Sequence, residues 1–557
     1  MRYDRWDVKR AAAWKTASLC GAGLDYPLAL VLASRDACDP ASARRFLTVS
    51  SSLLADPFAL PGMREAVSRF DTALRGGEKI AVYGDYDADG VTACALLHKY
   101  ITAAGGDCVC YIPDRFTEGY GMNNAAVEKI AAAGVSLIVT ADTGIAADEQ
   151  TERARALGMD VIVTDHHECS RPCPGAVASV NPRLPGGEAR LSCLAGVGVA
   201  FYLLRAHGGD TDGLLERYGE LVAIGTVADI MPMTDDNKTL VNIGLEKLGR
   251  TDMPGLAALM REAEVCGDRL TAQTVSFKLA PLINAAGRMS GAQKALALLL
   301  TRDEHEAQSL ARELSVCNRQ RQSLENEVFL AADAILARNG GVAAHGADWH
   351  PGVVGIVASR LAARHNKPVF LLAGGGDGVV RGSARGSDGF SLTAALAAHS
   401  RLLLSHGGHE KAAGFTLEPR DVEAFTQSIN EYCKGYARPE KVLAVDAELS
   451  PGEVTLRAVK SLERLEPYGR GNEQPVFMFS RAKLTDIRPM GQDKHSRLCV
   501  GGHPAVWFGE KRSDIPFADG DTADCAFRLS VNSFGGRENV QLQLLDLRQS
   551  AAEGGCA

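Results

Sequence analysis

Between Lys79 and about Pro232, short β-branched runs alternate with helix-like stretches, and three of the runs lead straight into a carboxylate. The runs are Ile80-Ala81-Val82-Tyr83, Cys108 to Ile112, Leu137-Ile138-Val139-Thr140 and Val161-Ile162-Val163-Thr164. This alternation is the pattern of βα units around a parallel sheet. In open parallel sheets ligands bind beyond the carboxyl ends of the strands. Asp85, Asp142 and Asp165 are therefore expected to meet in one crevice.

The first acidic cluster, Gly84-Asp85-Tyr86-Asp87-Ala88-Asp89-Gly90, leaves a strand and enters a helix expected to start near Val91. Three carboxylates at alternating positions repel one another unless cations lie between them, and hard divalent ions prefer such oxygen ligands. A solvated acidic turn is the bland alternative. A calcium loop is disfavoured, because Leu96 stands where its closing glutamate belongs. The second cluster is Thr140-Ala141-Asp142-Thr143-Gly144 and the third is Val163-Thr164-Asp165-His166-His167-Glu168. Imidazole mixed with carboxylate suits a transition metal such as manganese, or a site tolerant of several ions. The fourth, Gly225 to Pro232, offers Asp229, which alone would read as a helix cap. Together the four segments supply donors for two ions sharing one carboxylate at roughly 3.5–4 Å separation, the apparatus of phosphoester hydrolysis.

A chain of 557 residues is expected to form two to four compact units. Sixty Lys and Arg against sixty-eight Asp and Glu give a net charge of −8, which argues against coating nucleic acid through global positive charge. A local basic groove remains compatible with it. Helical spacing with dense polar residues from Thr271 to Asn339 predicts a connector, and a second α/β segment with Gly374-Gly375-Gly376 runs from Gly341 to about Gly435. From Val442 onward short alternating runs such as Val476-Phe477-Met478-Phe479 and Val540-Gln541-Leu542-Gln543-Leu544 predict a small β-barrel or sandwich. Ala551 to Ala557 read as a frayed tail. Fourteen cysteines show no zinc-finger spacing and are expected as reduced thiols. The amino end lacks the apolar core of a secretory signal and no stretch reads as a membrane span, so a cytoplasmic protein is expected.

With Asp165-His166-His167 and the other three motifs in order, the chain resembles the DHH phosphoesterase superfamily and, within it, the bacterial RecJ exonucleases. The likeness runs from about Leu54 to the carboxyl-terminal region, and Asp85, where many members of the superfamily have histidine, is RecJ-like. The resemblance implies an α/β chain with an N-terminal extension (1–50), a DHH catalytic domain (51–245), a helical connector (246–338), a DHH-associated substrate-binding domain (339–436), an OB-fold domain (437–550) and a tail (551–557). It implies that Asp85, Asp87 and Asp142 hold one cation and that Asp89, Asp142, His166 and Asp229 hold the other. Manganese is the first expectation and magnesium the second. His167 would lie against the scissile phosphate and Asp165 would orient a neighbouring ligand.

The segments Gly346 to Ala358, Arg381 to Arg385 and Gly407 to Gly414 resemble the DHH-associated domain. Arg115, Arg288, Ser383 and Arg385, with His409, would bind substrate phosphate, and a pocket for the terminal phosphate would impose 5′ polarity and release of mononucleotides. Phe477, Trp507, Phe508 and Phe534 are candidate base-stacking platforms of the OB-like part, though aromatics in small barrels are more often core. The expected partner is single-stranded DNA, preferably 5′-phosphorylated, met by a monomer alongside a helicase or single-strand-binding protein in repair and recombination. The chain ends soon after the OB-like part, so further domains of some relatives are expected to be missing. Two other readings stay open at this point: a superfamily member acting on short oligonucleotides or cyclic dinucleotides, and a non-catalytic nucleic-acid-binding scaffold.

Overall fold

The computed structural model describes residues 2–35, 39–265, 270–375, 378–534 and 537–550, without the side chains of 533 and 534. The chain forms two compact units, one of Ser50–Pro439 with Gly469–Gly471, the other of Met1–Val49, Glu440–Tyr468 and Asn472–Ala557.

The first unit is built on five parallel strands: β1 (Ile80–Gly84), β2 (Cys108–Tyr111), β3 (Leu137–Ala141), β4 (Asp160–Thr164) and β5 (Ala178–Val180), in the order β2-β1-β3-β4-β5. Successive strand residues point to opposite faces. Ile80, Val82, Leu137, Val139 and Ile162 accordingly pack beneath α1 (Ala88–Ala103), α2 (Gly196–Gly208) and α3 (Thr211–Ala228). Ala81, Tyr83, Ile138, Val161 and Val163 form the core on the other face. The strand order reverses direction between β1 and β3, so the switch point, where such sheets bind ligands, lies between the strands that precede Asp85 and Asp142.

The expected connector is not a spacer. It includes α4 (Ala280–Met289) and the 36-residue helix α5 (Glu304–Asn339), about 54 Å long at 1.5 Å per residue. Leu279 to Leu314 share the catalytic core, whereas Val328, Ala332 and Leu336 pack with α6 (Pro351–His365) in the second domain. That domain carries β6 (Ala343–Gly346), β7 (Val369–Gly374), β8 (Val380–Arg385), β9 (Ser405–Gly408) and β10 (Ala412–Leu417), in the order β9-β10-β8-β7-β6. Only β6 and β7 pair in parallel. Of the expected glycine loop, Gly376 lies outside the described residues, as does the tail Ala551 to Ala557.

In the other unit β11 (Phe477–Met490), β12 (His495–Val500), β13 (His503–Trp507), β14 (Thr522–Phe534) and β15 (Arg537–Gln549) run β11-β12-β13-β15-β14, and β11 pairs again with β14. That last ladder closes a five-stranded barrel and decides against a sandwich. The residues expected as a separate N-terminal extension belong to this unit. Strand Arg5–Val8 pairs in parallel with Val442–Val445, and the apolar helix Tyr26–Ser34 buries Leu28, Val31 and Leu32 with the barrel's own core. A helix apolar on all sides must be covered. Among the described residues no helix is long and apolar enough to cross a membrane.

Candidate active site

The acidic residues sit at strand ends and helix termini, which set where their carboxyl groups point. Asp85 follows β1, and Asp87 caps α1 by accepting hydrogen bonds from the backbone N–H groups of Asp89 (2.9 Å) and Gly90 (3.1 Å). Gly90 is required there, because a Cβ would lie 2.5 Å from the Asp85 carbonyl oxygen. Asp89, buried in the first turn of α1, accepts from Gly196 N–H (2.7 Å) and Val197 N–H (2.9 Å) at the start of α2, where unpaired donors and the helix dipole favour an anion. Asp142 follows β3 in the left-handed region, at φ 62°, which turns its carboxyl group into the crevice. Asp229 is the C-cap of α3.

These residues converge. One oxygen from each of Asp85, Asp87 and Asp142 lies within 4.8 Å of the other two, and the same holds for Asp89, His166 and Asp229 and for Asp142, His166 and His167. His166 Nε2 stands 3.1 Å from Asp142 Oδ1, 3.5 Å from Asp229 Oδ2 and 4.0 Å from Asp89 Oδ2. The local electrostatics are those of a site short of positive charge. Burial and then Asp87 push Asp85 up to about 8 and Asp229 up to about 7. Burial and neighbouring acids raise Asp89 and Asp142 as well. Burial and the adjacent His167 lower His166 to about 4, leaving a neutral ring with a lone pair to offer. Asp85 Oδ1 and Asp142 Oδ1 are buried without accepting a hydrogen bond. Buried carboxylate oxygens without donors, grouped around a neutral imidazole, are what divalent cations satisfy, so the donor set fits two such ions.

His167 is arranged for another task. Its Nδ1 lies 2.7 Å from Asp165 Oδ1, and Asp165 also accepts from the backbone N–H groups of Ile145 (2.9 Å), His166 (2.7 Å) and His167 (3.1 Å). Burial works against charging His167, yet the Asp165 hydrogen bond and the surrounding acids outweigh it and hold the ring's pKa at about 9. Its Nε2 is left facing Tyr120 Oη at 3.1 Å. Tyr120 escaped the sequence reading because nothing in Gly119-Tyr120-Gly121 distinguishes it from a turn aromatic. His409 is exposed and lines, with Tyr120, Asp165 and His167, a cavity of about 270 Å³.

Beside the cluster lies an arginine pocket. Arg288, at the end of α4, donates to the Gly352 carbonyl (3.5 Å), and burial followed by Arg115 lowers it to about 10. Arg115 stacks over Tyr86 at 5.1 Å, and its charge reaches Asp85. Arg385 donates to Ser383 Oγ (3.0 Å) and Ser359 Oγ (3.0 Å); burial and then Arg115 lower its pKa. Arg321 of α5, which also acts on Arg288, joined no motif in the sequence. Close packing sets the pocket's shape, since a Cβ on Gly352 would meet the Arg288 carbonyl at 2.4 Å and one on Gly355 would crowd Arg385 and Ser383 at 3.1 Å. Arg321 is paired with Glu325 at 2.7 Å, but Arg115, Arg288 and Arg385 form no ion pair among the described residues, and such a group of guanidiniums suits an anion with several oxygens.

The expected stacking platforms need correction. Phe477 is fully buried and Trp507 is 2% exposed, both in the barrel core, because strand alternation turns them inward. Phe508 is 48% exposed and packs edge-on against His495. The side chain of Phe534 lies outside the described residues.

Three family models match along the chain: the DHH family N-terminal domain over residues 79–226, the DHHA1 domain over 338–435 and the RecJ OB domain over 445–546. The chain is 36% identical over 556 residues to the single-stranded-DNA-specific exonuclease RecJ of Bacillus subtilis, covering 97% of this chain and 70% of that one. Crystal structures of RecJ from Thermus thermophilus superpose with a TM-score of 0.85 for the Mn2+ complex and 0.79 for the Mg2+ complex. The first is 32% identical and aligns over 99% of this chain and 81% of its own, the second 31% identical over 99% and 80%. Carboxylate cluster, arginine pocket, barrel and domain order together place this chain in the RecJ family of the DHH phosphoesterases.

Proposed function

We propose that this protein is a metal-dependent exonuclease specific for single-stranded DNA, working 5′ to 3′ and releasing 5′-mononucleotides. The observation that carries this reading is the adjacency of two sites of opposite character: a carboxylate–imidazole cluster fit for two cations, and the pocket of Arg115, Arg288, Arg321 and Arg385 next to it. Asp85, Asp87 and Asp142 would hold one ion, and Asp89, Asp142, His166 and Asp229 the other, with Mn2+ first and Mg2+ second. Such a pair supplies a nucleophilic water at neutral pH and screens the charge that builds up on the scissile phosphate.

The protein's own groups do the rest. The arginines hold the terminal 5′-phosphate, Ser383 fixes Arg385, and His409 binds substrate phosphate. His167, kept protonated by Asp165, donates from Nε2 to a phosphate oxygen as charge accumulates there. Water oxygen bonds to phosphorus and the P–O3′ bond breaks, so the first nucleotide leaves with its 5′-phosphate. The shortened strand again carries a 5′-phosphate, which suits the same pocket for the next cycle.

We take residues 51–245 as the catalytic domain, 339–436 as the substrate-binding domain and 437–550 as a single-strand-binding module. The enzyme works as a cytoplasmic monomer on strands exposed by a helicase or by a single-strand-binding protein. The test is a strand labelled separately at each end and incubated with Mn2+ or Mg2+. Early mononucleotide from the 5′ label alone supports the reading; early release from the 3′ label, or internal cuts, removes it.

A further inference from the structure

Away from the carboxylate cluster, one other group of metal-ligating side chains meets among the described residues. Cys108 and Cys110 stand two apart on the edge strand β2, so both face the same side of the sheet, the side covered by α1. Their backbone partners on β1 are Ile80 and Val82, which fixes their spacing. His98, in α1, comes down onto them: one of its ring nitrogens and both sulfurs lie within 4.8 Å of one another. All three are half-buried, which leaves an entry path for an ion. The hydrogen bond with Cys110, and then burial, push the Cys108 thiol up, so Cys108 keeps its proton when no cation is present. His98 makes no hydrogen bond among the described residues. Two elements pinned by core packing therefore aim three soft or borderline donors at one point.

We propose that His98, Cys108 and Cys110 form a second metal site that takes a thiophilic ion of the zinc class, with water in the fourth position. Thiolate and imidazole ligands select zinc-like ions, whereas Mn2+ and Mg2+ favour the oxygen-rich cluster, so the two sites sort ions by chemistry. Binding exchanges the thiol protons, which go to solvent, for two sulfur–metal bonds. The ion ties β2, whose chain runs on to Arg115, to α1, whose first turn carries Asp89. It acts as a clip at the back of the active site.

Cobalt(II) is the probe, added to the reduced full-length protein with the carboxylate cluster saturated by Mn2+. Cobalt bound to thiolate gives a sulfur-to-metal charge-transfer band, and cobalt that strays into the active site meets no sulfur. The expected result is a band that saturates at one cobalt per chain, is displaced by zinc, disappears in Cys108→Ser/Cys110→Ser and persists in Cys499→Ser, a barrel control. His98→Asn weakens binding at least about tenfold. A wild-type protein without the band overturns the proposal whatever the variants do, as does a band that survives loss of both thiols.

Discussion

Asp142 shows how much of the active site is carried by single atoms. Its left-handed backbone costs of order 1–2 kcal/mol in a residue with a Cβ, and the carboxyl group is aimed by that turn. Gly196 makes the turn possible, for a Cβ there would sit 2.4 Å from the Asp142 Cβ. Gly196→Ala should therefore weaken Mn2+ binding about 10–100-fold, as measured by calorimetry, though no ligand is changed. Unchanged affinity would mean that the turn yields freely. Arg288→Ala should cost about 2–5 kcal/mol in kcat/KM on 5′-phosphorylated strands and far less on 5′-hydroxyl strands. Equal losses on both would make Arg288 a structural residue. Asp85, Asp142 and Asp165 were legible as site candidates because each follows an apolar run. The hydrogen bonds from Gly196 and Val197 to Asp89 were not, because they join positions 107 and 108 residues apart that share no local pattern.

At the scale of elements, the parallel strands read clearly because a strand buried on both faces is apolar throughout, as Leu137–Ala141 is. The barrel was readable as a barrel or sandwich, but the direction of its aromatics was not. A barrel strand alternates inside and outside, which turns Phe477 into the core, whereas Phe508 lies just past the end of β13, where no alternation sets its direction. Phe477→Ala should destabilise the protein by about 3–5 kcal/mol in chemical denaturation. Phe508→Ala should leave stability alone and weaken binding of long single strands by about 1–3 kcal/mol in a fluorescence titration. Should Phe508→Ala bind long strands normally, that ring is no platform. The amino-terminal residues were set apart as an extension because their partner strand, Val442–Val445, lies at the far end of the chain. The thiols of β2 lacked a visible third ligand for a similar reason: His98 precedes them, and only the packing of α1 on the sheet brings it close.

For the whole molecule, the acids proposed to hold the ions are a liability without them. Asp85, pushed up to about 8, and Asp229, pushed up to about 7, bind protons in the folded chain that they release when unfolded. A carboxyl pKa raised by folding adds stability below the ordinary value of about 4, and that contribution is lost as pH rises through the folded value. In chelator, the melting temperature should therefore fall as pH climbs toward 7 and 8. Saturating Mn2+ replaces those protons, so its stabilising effect should grow over the same interval. Scanning calorimetry at matched ionic strength tests this, and a metal-induced shift independent of pH would contradict it. The net charge of −8 fits this picture, since part of the excess acid is gathered where cations belong.

Whether four distant chain segments surround a pair of cations is tested most directly by anomalous diffraction from crystals soaked in Mn2+. Two peaks about 3.5–4 Å apart are expected, one against Asp85, Asp87 and Asp142, the other against Asp89, Asp142, His166 and Asp229. A single peak, or manganese bound away from Asp142, would contradict this arrangement.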